Sequence, residues 1–600
     1  MKFAACLVAL ATAVASDESP SWVGGLGTIH SVADSCIEND VHVCAYHARS
    51  RQLGASAAAS ITLSSTSIPH LSTLNVTFQV ESPTPNDRIT AYCASSVNST
   101  VDSDYMDFQP TKGVASATLT FGPLVNMRCD YQFRYQKETS PKTFVTVATS
   151  PVVTMTAGVT EPLQVHIALT GKADEMRIMW TSGSVAAPRV RYGIARDNCG
   201  GGDLDKSAIA SSSSYAASDM CGAPASTVSA QRFIPVGTLY DAVLTGLAPN
   251  AKVAYQVGSD VGGWSDVFTF TMPDIASPKP SSFFVFGDMG TWTTATGGLG
   301  LDGRSLSTAK RVADDMVNGQ YVAALHIGDL SYADSVGYIW EQFMALVQPI
   351  AAKLPYMVSV GNHEYAYTSS VQAVDVSGET KCFFASPDMA KASSGGECGV
   401  PTARRYHMPS NGNGVFWYSF DLGLAHHVVV SSEHDFNAGS RMRKWLEADL
   451  AAVNRAATPW VFLHVHRPMY VSIDTKNDQA YNKLSQAAYE PVLAKFGVDA
   501  VFTGHVHNYE RTCPVLGGVC KVAGDGKALA PTHIMIGTAG KLLDEGANVP
   551  SAWSVAKKHE YGYGRMHLLN ASHAHFEFVR DVDGVVSDDV WLVSDHAWAA

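Results

Sequence analysis

Ser282-Phe-Phe-Val-Phe-Gly-Asp288-Met-Gly290 and Leu325-His-Ile-Gly-Asp329-Leu-Ser-Tyr332 are the stretches on which the reading of this chain turns. Each is an apolar run ending in Gly-Asp, the pattern of a buried strand that delivers a carboxylate at its C-terminal end. In open α/β sheets that edge is where ligands bind. Three further segments repeat the arrangement: Val358-Ser-Val-Gly-Asn362-His363-Glu364, His464-Val-His466-Arg-Pro and Phe502-Thr-Gly-His505-Val-His507. Five strand-like runs thus end in metal-ligand residue types, which predicts a metal site with two cations.

The residue types fit that chemistry. Two cations about 3.5–4 Å apart repel and need a shared anionic bridge, and Asp329 at the end of a central strand suits that role. Hard oxygen donors such as Asp288 and Tyr332 suit a trivalent ion, whereas imidazole and the Asn oxygen suit a divalent one. Such a pair clamps a phosphate and turns a bound water into hydroxide near neutral pH.

Around these motifs, strands alternate with helices expected near Leu306–Val317, Ile339–Ala352, Met442–Val453 and Ala487–Phe496, the signature of an α/β layer. Trp445, Leu446, Leu450 and Val453 share one helical face. Thr532-His-Ile-Met-Ile and His575-Phe-Glu-Phe-Val return to strands and complete this domain, residues 280–600, through its C-terminal segment of about 530–600. Before it the pattern is all β. Residues 16–155 hold period-two runs such as Asn75-Val-Thr-Phe-Gln-Val between Pro, Gly and Asn turns, which suggests a β-sandwich. Residues 156–273 form a second β-rich block whose corner, Leu247-Ala-Pro249 with Tyr255 after it, resembles fibronectin type III modules. Three prolines between Pro273 and Pro280 mark the linker.

Composition narrows the function classes. With 46% apolar and 16% charged residues the 600-residue chain is globular, and its length calls for several domains. A formal net charge of −13, with no Lys/Arg cluster against it, argues against nucleic acid as a partner. Met1-Lys2 and the apolar run Phe3–Ala15, ending Ala13-Val-Ala15, have the form of a signal peptide over residues 1–15, and no later run is long enough for a membrane span. Cysteine usage agrees with secretion. Cys6 leaves with the leader, and the other ten fall in neighbouring pairs: Cys36–Cys44, Cys93–Cys129, Cys199–Cys221, Cys382–Cys398 and Cys513–Cys520 are the expected disulfides. Asn75, Asn98 and Asn570 stand in N-glycosylation sequences.

Taken together, D-x-G at Asp288, G-D-x-x-Y at Asp329 and Tyr332, G-N-H-E at Asn362, a strand His and G-H-x-H at His505 resemble the purple acid phosphatase branch of the calcineurin-like metallophosphoesterases. Asp219-Met-Cys-Gly, Glu397-Cys-Gly-Val, Ser431-Ser-Glu-His-Asp-Phe and Tyr561-Gly-Tyr-Gly look like its larger members, which carry a fibronectin-like domain before the catalytic one. Relatives outside this branch commonly have D-x-H at the first motif; here Gly290 holds that position and Tyr332 stands ready to fill the vacancy.

The resemblance implies a multidomain fold, with all-β immunoglobulin- or fibronectin-like sandwiches followed by a metallophosphoesterase β-sandwich flanked by helices in βαβαβ units. It implies Fe(III) held by Asp288, Asp329, Tyr332 and His507, beside a divalent Zn, Mn or Fe held by Asp329, Asn362, His466 and His505. His466 is preferred to His464 because it precedes Arg467-Pro468 and lies six positions after Trp460. His363, beside Asn362, is the expected catalytic and substrate-binding group, stabilising the transferring phosphoryl group.

The implied activity is a secreted acid phosphatase that hydrolyses small phosphate monoesters with metal-bound hydroxide as nucleophile. A phosphodiesterase or pyrophosphatase on the same core, and a non-catalytic cell-surface binding protein, are the alternatives. Met469 to Phe496 contains no His, unlike some plant members, so Glu433 and His434 are the remaining candidates for the leaving-group proton. The N-terminal domain has two available roles, packing on the catalytic domain or joining a homodimer.

Overall fold

A computed structural model of the protein describes residues 59–596, apart from residues 96–99, 197–201, 276, 278, 293–302, 367–375, 380–382, 384–388, 390–392 and 475–478. The leader, Cys36, Cys44, Asn98, Cys199 and Cys382 lie outside the described residues. Asn75 and Asn570 are exposed.

Strict alternation builds the first sandwich. In Ser72–Gln79, Leu74, Val76 and Phe78 turn inward while Thr73, Asn75 and Gln79 face solvent. This strand is central in a three-stranded sheet with Ser60–Leu63 and Ser116–Leu124. A four-stranded sheet of Asp107–Pro110, Arg88–Cys93, Tyr131–Ser140 and Thr143–Thr149 packs against it. Phe78 on Tyr135 (5.3 Å) and Phe121 on Phe133 (4.9 Å) tie the two layers. The next block is again two sheets, centred on Met176–Ser182 and Lys252–Ser259. Its first strand, Leu163–Leu169, is buried throughout because the Gly337–Ala351 helix covers it, and Gln348 accepts the Val165 N–H at 2.9 Å.

The third block faces two mixed sheets. One runs Tyr356–Ser359, Tyr321–Ile327 and Ser281–Phe286 in parallel, then Gly562–Leu568, His573–Arg580 and Val586–Val593 antiparallel. The other carries Ala425–Val430, Trp460–Val465, Ala500–Thr503 and Thr532–Ile536 in parallel. Strands buried on both faces read as continuous apolar runs, as Phe283-Phe-Val-Phe does. Phe283 crosses to Phe462 (6.0 Å) and Phe502 (6.4 Å) on the opposite sheet. Helices Arg304–Asn318, Gly337–Ala351, Arg441–Ala452 and Gln479–Phe496 flank the sheets. The last begins eight residues before the expected Ala487, because Tyr481, Asn482 and Ser485 continue the buried face upstream. The architecture is therefore the expected one, β-sandwich domains followed by a calcineurin-like β-sandwich flanked by helices.

Two expected disulfides form, Cys93–Cys129 and Cys513–Cys520. The pairings Cys199–Cys221 and Cys382–Cys398 are corrected: Cys221 bonds Cys398 across 177 residues. The segment around Cys221 leaves its own β domain and lies along the third block, where Cys221 N–H donates to the Gly396 carbonyl and Ala225 N–H to the Gly395 carbonyl, both at 3.0 Å. That brings the two Cα atoms to 6.0 Å, within disulfide reach.

One ionic network joins all three blocks. Glu341, on the Gly337–Ala351 helix, receives Arg128 from the first sandwich at 2.7 Å and Arg405 from the third block at 2.7 Å. Gln164 of the second block donates to the same carboxylate at 2.5 Å and accepts from Arg405 at 2.8 Å. Glu341 is fully buried; burial opposes its charge, but Arg128 and Arg405 hold its carboxyl below the usual range.

Candidate metal centre

The carboxyl ends of five parallel strands meet at one edge of the third block's sandwich. Asp288 follows Ser281–Phe286, Asp329 follows Tyr321–Ile327 and Asn362 follows Tyr356–Ser359, three neighbours in one sheet. His466 follows Trp460–Val465 and His505 follows Ala500–Thr503, neighbours in the facing sheet. Each strand must end abruptly for its side chain to turn inward. Asp288 (φ 61°), Asp329 (φ 48°), Tyr332 (φ 52°) and His505 (φ 71°) all adopt the left-handed backbone region, at about 1–3 kcal/mol each. Gly361 and Gly504 supply the remaining room: a Cβ on Gly361 would strike Asp329 Oδ1 and one on Gly504 would strike Asp288 Oδ2.

Two donor groups result, and Asp329 belongs to both. Asp288, Asp329 and His507 bring one donor atom each within 4.8 Å of one another, as do Asp329, His466 and His505. Tyr332 Oη lies 2.9 Å from Asp288 Oδ1 and 2.8 Å from His507 Nε2, with His507 Nε2 3.4 Å from Asp288 Oδ1. In the second group His466 Nε2 lies 3.2 Å from both Asn362 Oδ1 and Asp329 Oδ1. Ligands at right angles about 2.0–2.1 Å from a cation stand about 3 Å apart, so both groups have the spacing of a coordination shell.

Hydrogen bonds from the far side set the imidazoles. His507 Nδ1 donates to the Leu542 carbonyl (2.8 Å) and His466 Nδ1 to the Ile327 carbonyl (2.9 Å), which turns each Nε2 toward the cluster. Arg467, gripped by Glu433 at 2.7 Å, donates to His505 Nε2 at 2.9 Å.

The electrostatics demand positive charge at this place. Burial works against a charged His466, yet Asp329 and Asp288 raise it to about 9. Burial likewise opposes the Asp329 carboxylate, but His466 and His363 hold it well below its usual range. Burial, reinforced by Asp288 and Asp329, pushes the Tyr332 hydroxyl well above its ordinary value. A tyrosinate here therefore requires a cation alongside it. The donor set fits the two metals that the motifs imply.

His363 stands at the open side of the cluster, its side chain 23% exposed, with Nδ1 2.7 Å from Asp334 and Nε2 3.9 Å from Asp329 Oδ2. Burial lowers its proton affinity, but Asp334 and Asp329 raise it further, so the ring favours its charged form. His464 stays out of the cluster: it shares a hydrogen bond with His427 (3.1 Å) and stacks on Phe502 (5.3 Å).

The two proton-donor candidates are also engaged elsewhere. Glu433 holds Arg467, and His434 packs between Tyr365, Phe416 and Trp417 while burial pushes it down to about 3.

The sequence reading quoted Glu364 within its motif without assigning it a role, and it did not single out Asp334. Glu364 accepts the backbone N–H groups of Asp329, Leu330 and Gly361 at 2.7–2.9 Å, which ties two ligand loops together. The signal was present, since a Glu three residues after Gly361 at a helix start is a capping pattern.

Comparison with known proteins agrees with this geometry. Residues 162–272 match the family described as Purple acid Phosphatase, N-terminal domain. Residues 281–509 match Calcineurin-like phosphoesterase, and residues 530–589 match Iron/zinc purple acid phosphatase-like protein C. "Probable inactive purple acid phosphatase 9" of Arabidopsis thaliana is 32% identical over 557 residues, spanning 86% of this chain and 82% of the relative. "Acid phosphatase type 7" of Mus musculus is 30% identical over 464 residues, 72% of this chain and 91% of the relative. The structure of purple acid phosphatase PPD1 from yellow lupin (Lupinus luteus) seeds superposes with a TM-score of 0.78 at 26% identity, covering 90% of this chain and 96% of that one. With its N-terminal, calcineurin-like and C-terminal modules all matched, the chain belongs to the purple acid phosphatase family.

Proposed function

We propose that this protein is a secreted acid phosphatase that hydrolyses phosphate monoesters at a binuclear Fe(III)–M(II) centre, M being zinc, manganese or iron. The observation that carries the reading is the completeness of the donor set, with Asp329 placed in both groups. The name "Probable inactive purple acid phosphatase 9" belongs to the relative, and in this chain all seven positions hold ligand residue types. When bound, the metal pair supplies Lewis acidity and a nucleophilic water near neutral pH.

The chain's own groups do the rest. Asp288, Asp329, Tyr332 and His507 would hold the trivalent ion, and Asp329, Asn362, His466 and His505 the divalent one. His363, charged through Asp334 and Asp329, donates a hydrogen bond to the phosphoryl oxygens as charge develops there. Glu364 keeps the two ligand loops in register while substrate enters and leaves. Secretion is supported by the signal-like leader and by three disulfides, which persist in oxidising compartments.

The test is hydrolysis of a simple aryl phosphomonoester at mildly acidic pH, with metal analysis of the same sample. The expected result is turnover with two metals per chain, one of them iron. Two metals with turnover of diesters or pyrophosphate alone would replace the monoesterase reading, and neither metal nor turnover would overturn the enzyme reading altogether.

A further inference from the structure

The seven ligand positions and His363 would meet the phosphoryl group that every phosphate ester shares, and a further cation beside them would sharpen any preference for the more highly charged monoesters. Lys541 is placed to supply it. Its segment is laced to the metal donors by backbone hydrogen bonds: Ala539 N–H to the Gly287 carbonyl (3.1 Å), Lys541 N–H to the Asp288 carbonyl (3.0 Å) and Asp544 N–H to the His507 carbonyl (3.1 Å). The Lys541 ammonium lies 4.5 Å from the centre of the Tyr332 ring. The same ring packs against His363 at 4.3 Å. Both Lys541 and His363 are partly exposed, so cation and imidazole border the solvent-open side of the donor cluster.

We infer that Lys541 is a substrate-binding residue that reads the charge of the phosphate, favouring dianionic monoesters over singly charged diesters. This rests on the phosphomonoesterase reading above. An ammonium is a point charge on a flexible stem and can follow a phosphoryl oxygen without fixing the ester's orientation. A dianion gains more from that charge than a monoanion does, whatever alcohol it carries. The alternative, that the lysine only packs on Tyr332, is separated by charge: methionine keeps the stem and loses the ammonium, and arginine keeps the charge.

Metal-loaded wild type, Lys541→Met and Lys541→Arg would be compared near pH 6.5 in two measurements. Inorganic phosphate would be titrated by calorimetry, and kcat/KM measured on an aryl phosphomonoester and on a bis-aryl phosphodiester. Lys541→Met should bind phosphate on the order of tenfold more weakly and lose a similar factor on the monoester, chiefly through KM. The diester should change by less than about threefold, and Lys541→Arg should recover most of the phosphate affinity. Unchanged phosphate affinity in Lys541→Met, or equal losses on the two esters, overturns the inference. A wild type that turns over neither ester sinks the phosphatase reading, while the phosphate titration still decides the role of Lys541. Should Lys541→Met not fold, Lys541→Gln carries the same comparison.

Discussion

His464 and His466 stand two residues apart on one strand end, both buried, and their rings meet opposite surroundings. His464 lies among Phe502 and His427, with its Nδ1 unpartnered, and burial holds it down at about 3. His466 has emerged past the strand into the field of Asp329 and Asp288, which overcomes the same burial and raises it to about 9. Burial alone therefore does not decide how a buried histidine behaves. What separates the two is whether carboxylates converge on the ring, and that is decided by where the strand stops: Val465 is its last residue.

The comparison can be broken at its anionic pole first. Asp329→Asn removes the charge common to both donor groups. We expect both metals to be lost and activity to fall by about a thousandfold or more, read by metal analysis and initial rates. Retention of two metals and near-normal turnover would contradict the assignment of the bridge. Next in size is His466→Ala, which should lower activity on the order of a hundredfold and release the divalent ion before the trivalent one. Loss of iron first would exchange the two donor groups.

His464→Leu should act on the fold and spare the centre. Two metals per chain and a rate within about twofold of wild type are expected. Denaturant melts should show a loss of about 1–3 kcal/mol, because His427 is left without its partner. The smallest effect concerns pH. His464 binds its proton only near 3 when folded but near 6.5 when unfolded, so the unfolded chain takes up more protons between those values. Its contribution to stability is complete above about pH 6.5 and is lost as pH falls toward 3. Melting curves should therefore decline less steeply below pH 6.5 in His464→Leu than in wild type, by about 1–2 kcal/mol at pH 5. Parallel curves would show that His464 is not held neutral.

The metal edge was legible because each of its signals is local. An apolar run followed by Gly-Asp, Gly-Asn-His or Gly-His places a strand, its end and its cargo within ten residues. The passage from all-β to α/β organisation was legible for a similar reason, since period-two runs give way to alternating strands and helices near residue 280.

Groups that act across the fold left no such trace. Cys221 and Cys398 find each other only after one segment leaves its β domain, and neighbour-pairing in sequence chose the wrong partners. Asp334 reads as an ordinary turn residue until His363 is seen 2.7 Å away. Lys541 lies outside every metal-ligand motif, past His507, and reaches Tyr332 only through the return of the chain past Asp288. The helices Asn362–Tyr365 and Val400–Arg405 are too short to display a 3.6-residue period.

The Arg128–Glu341–Arg405 network has a bearing on how this protein can be shortened. By sequence the chain looks divisible, and a laboratory seeking a minimal enzyme would start it at residue 162, where the phosphatase-type modules begin. Such a truncation removes Arg128 and leaves the Glu341 carboxylate with half of its compensating charge. Breaking a buried pair from one side costs about 3–5 kcal/mol, a large part of what holds most domains folded. The apparent accessory domain would then be a stabilising partner for the catalytic one, and the smallest sound enzyme would be nearly the whole chain.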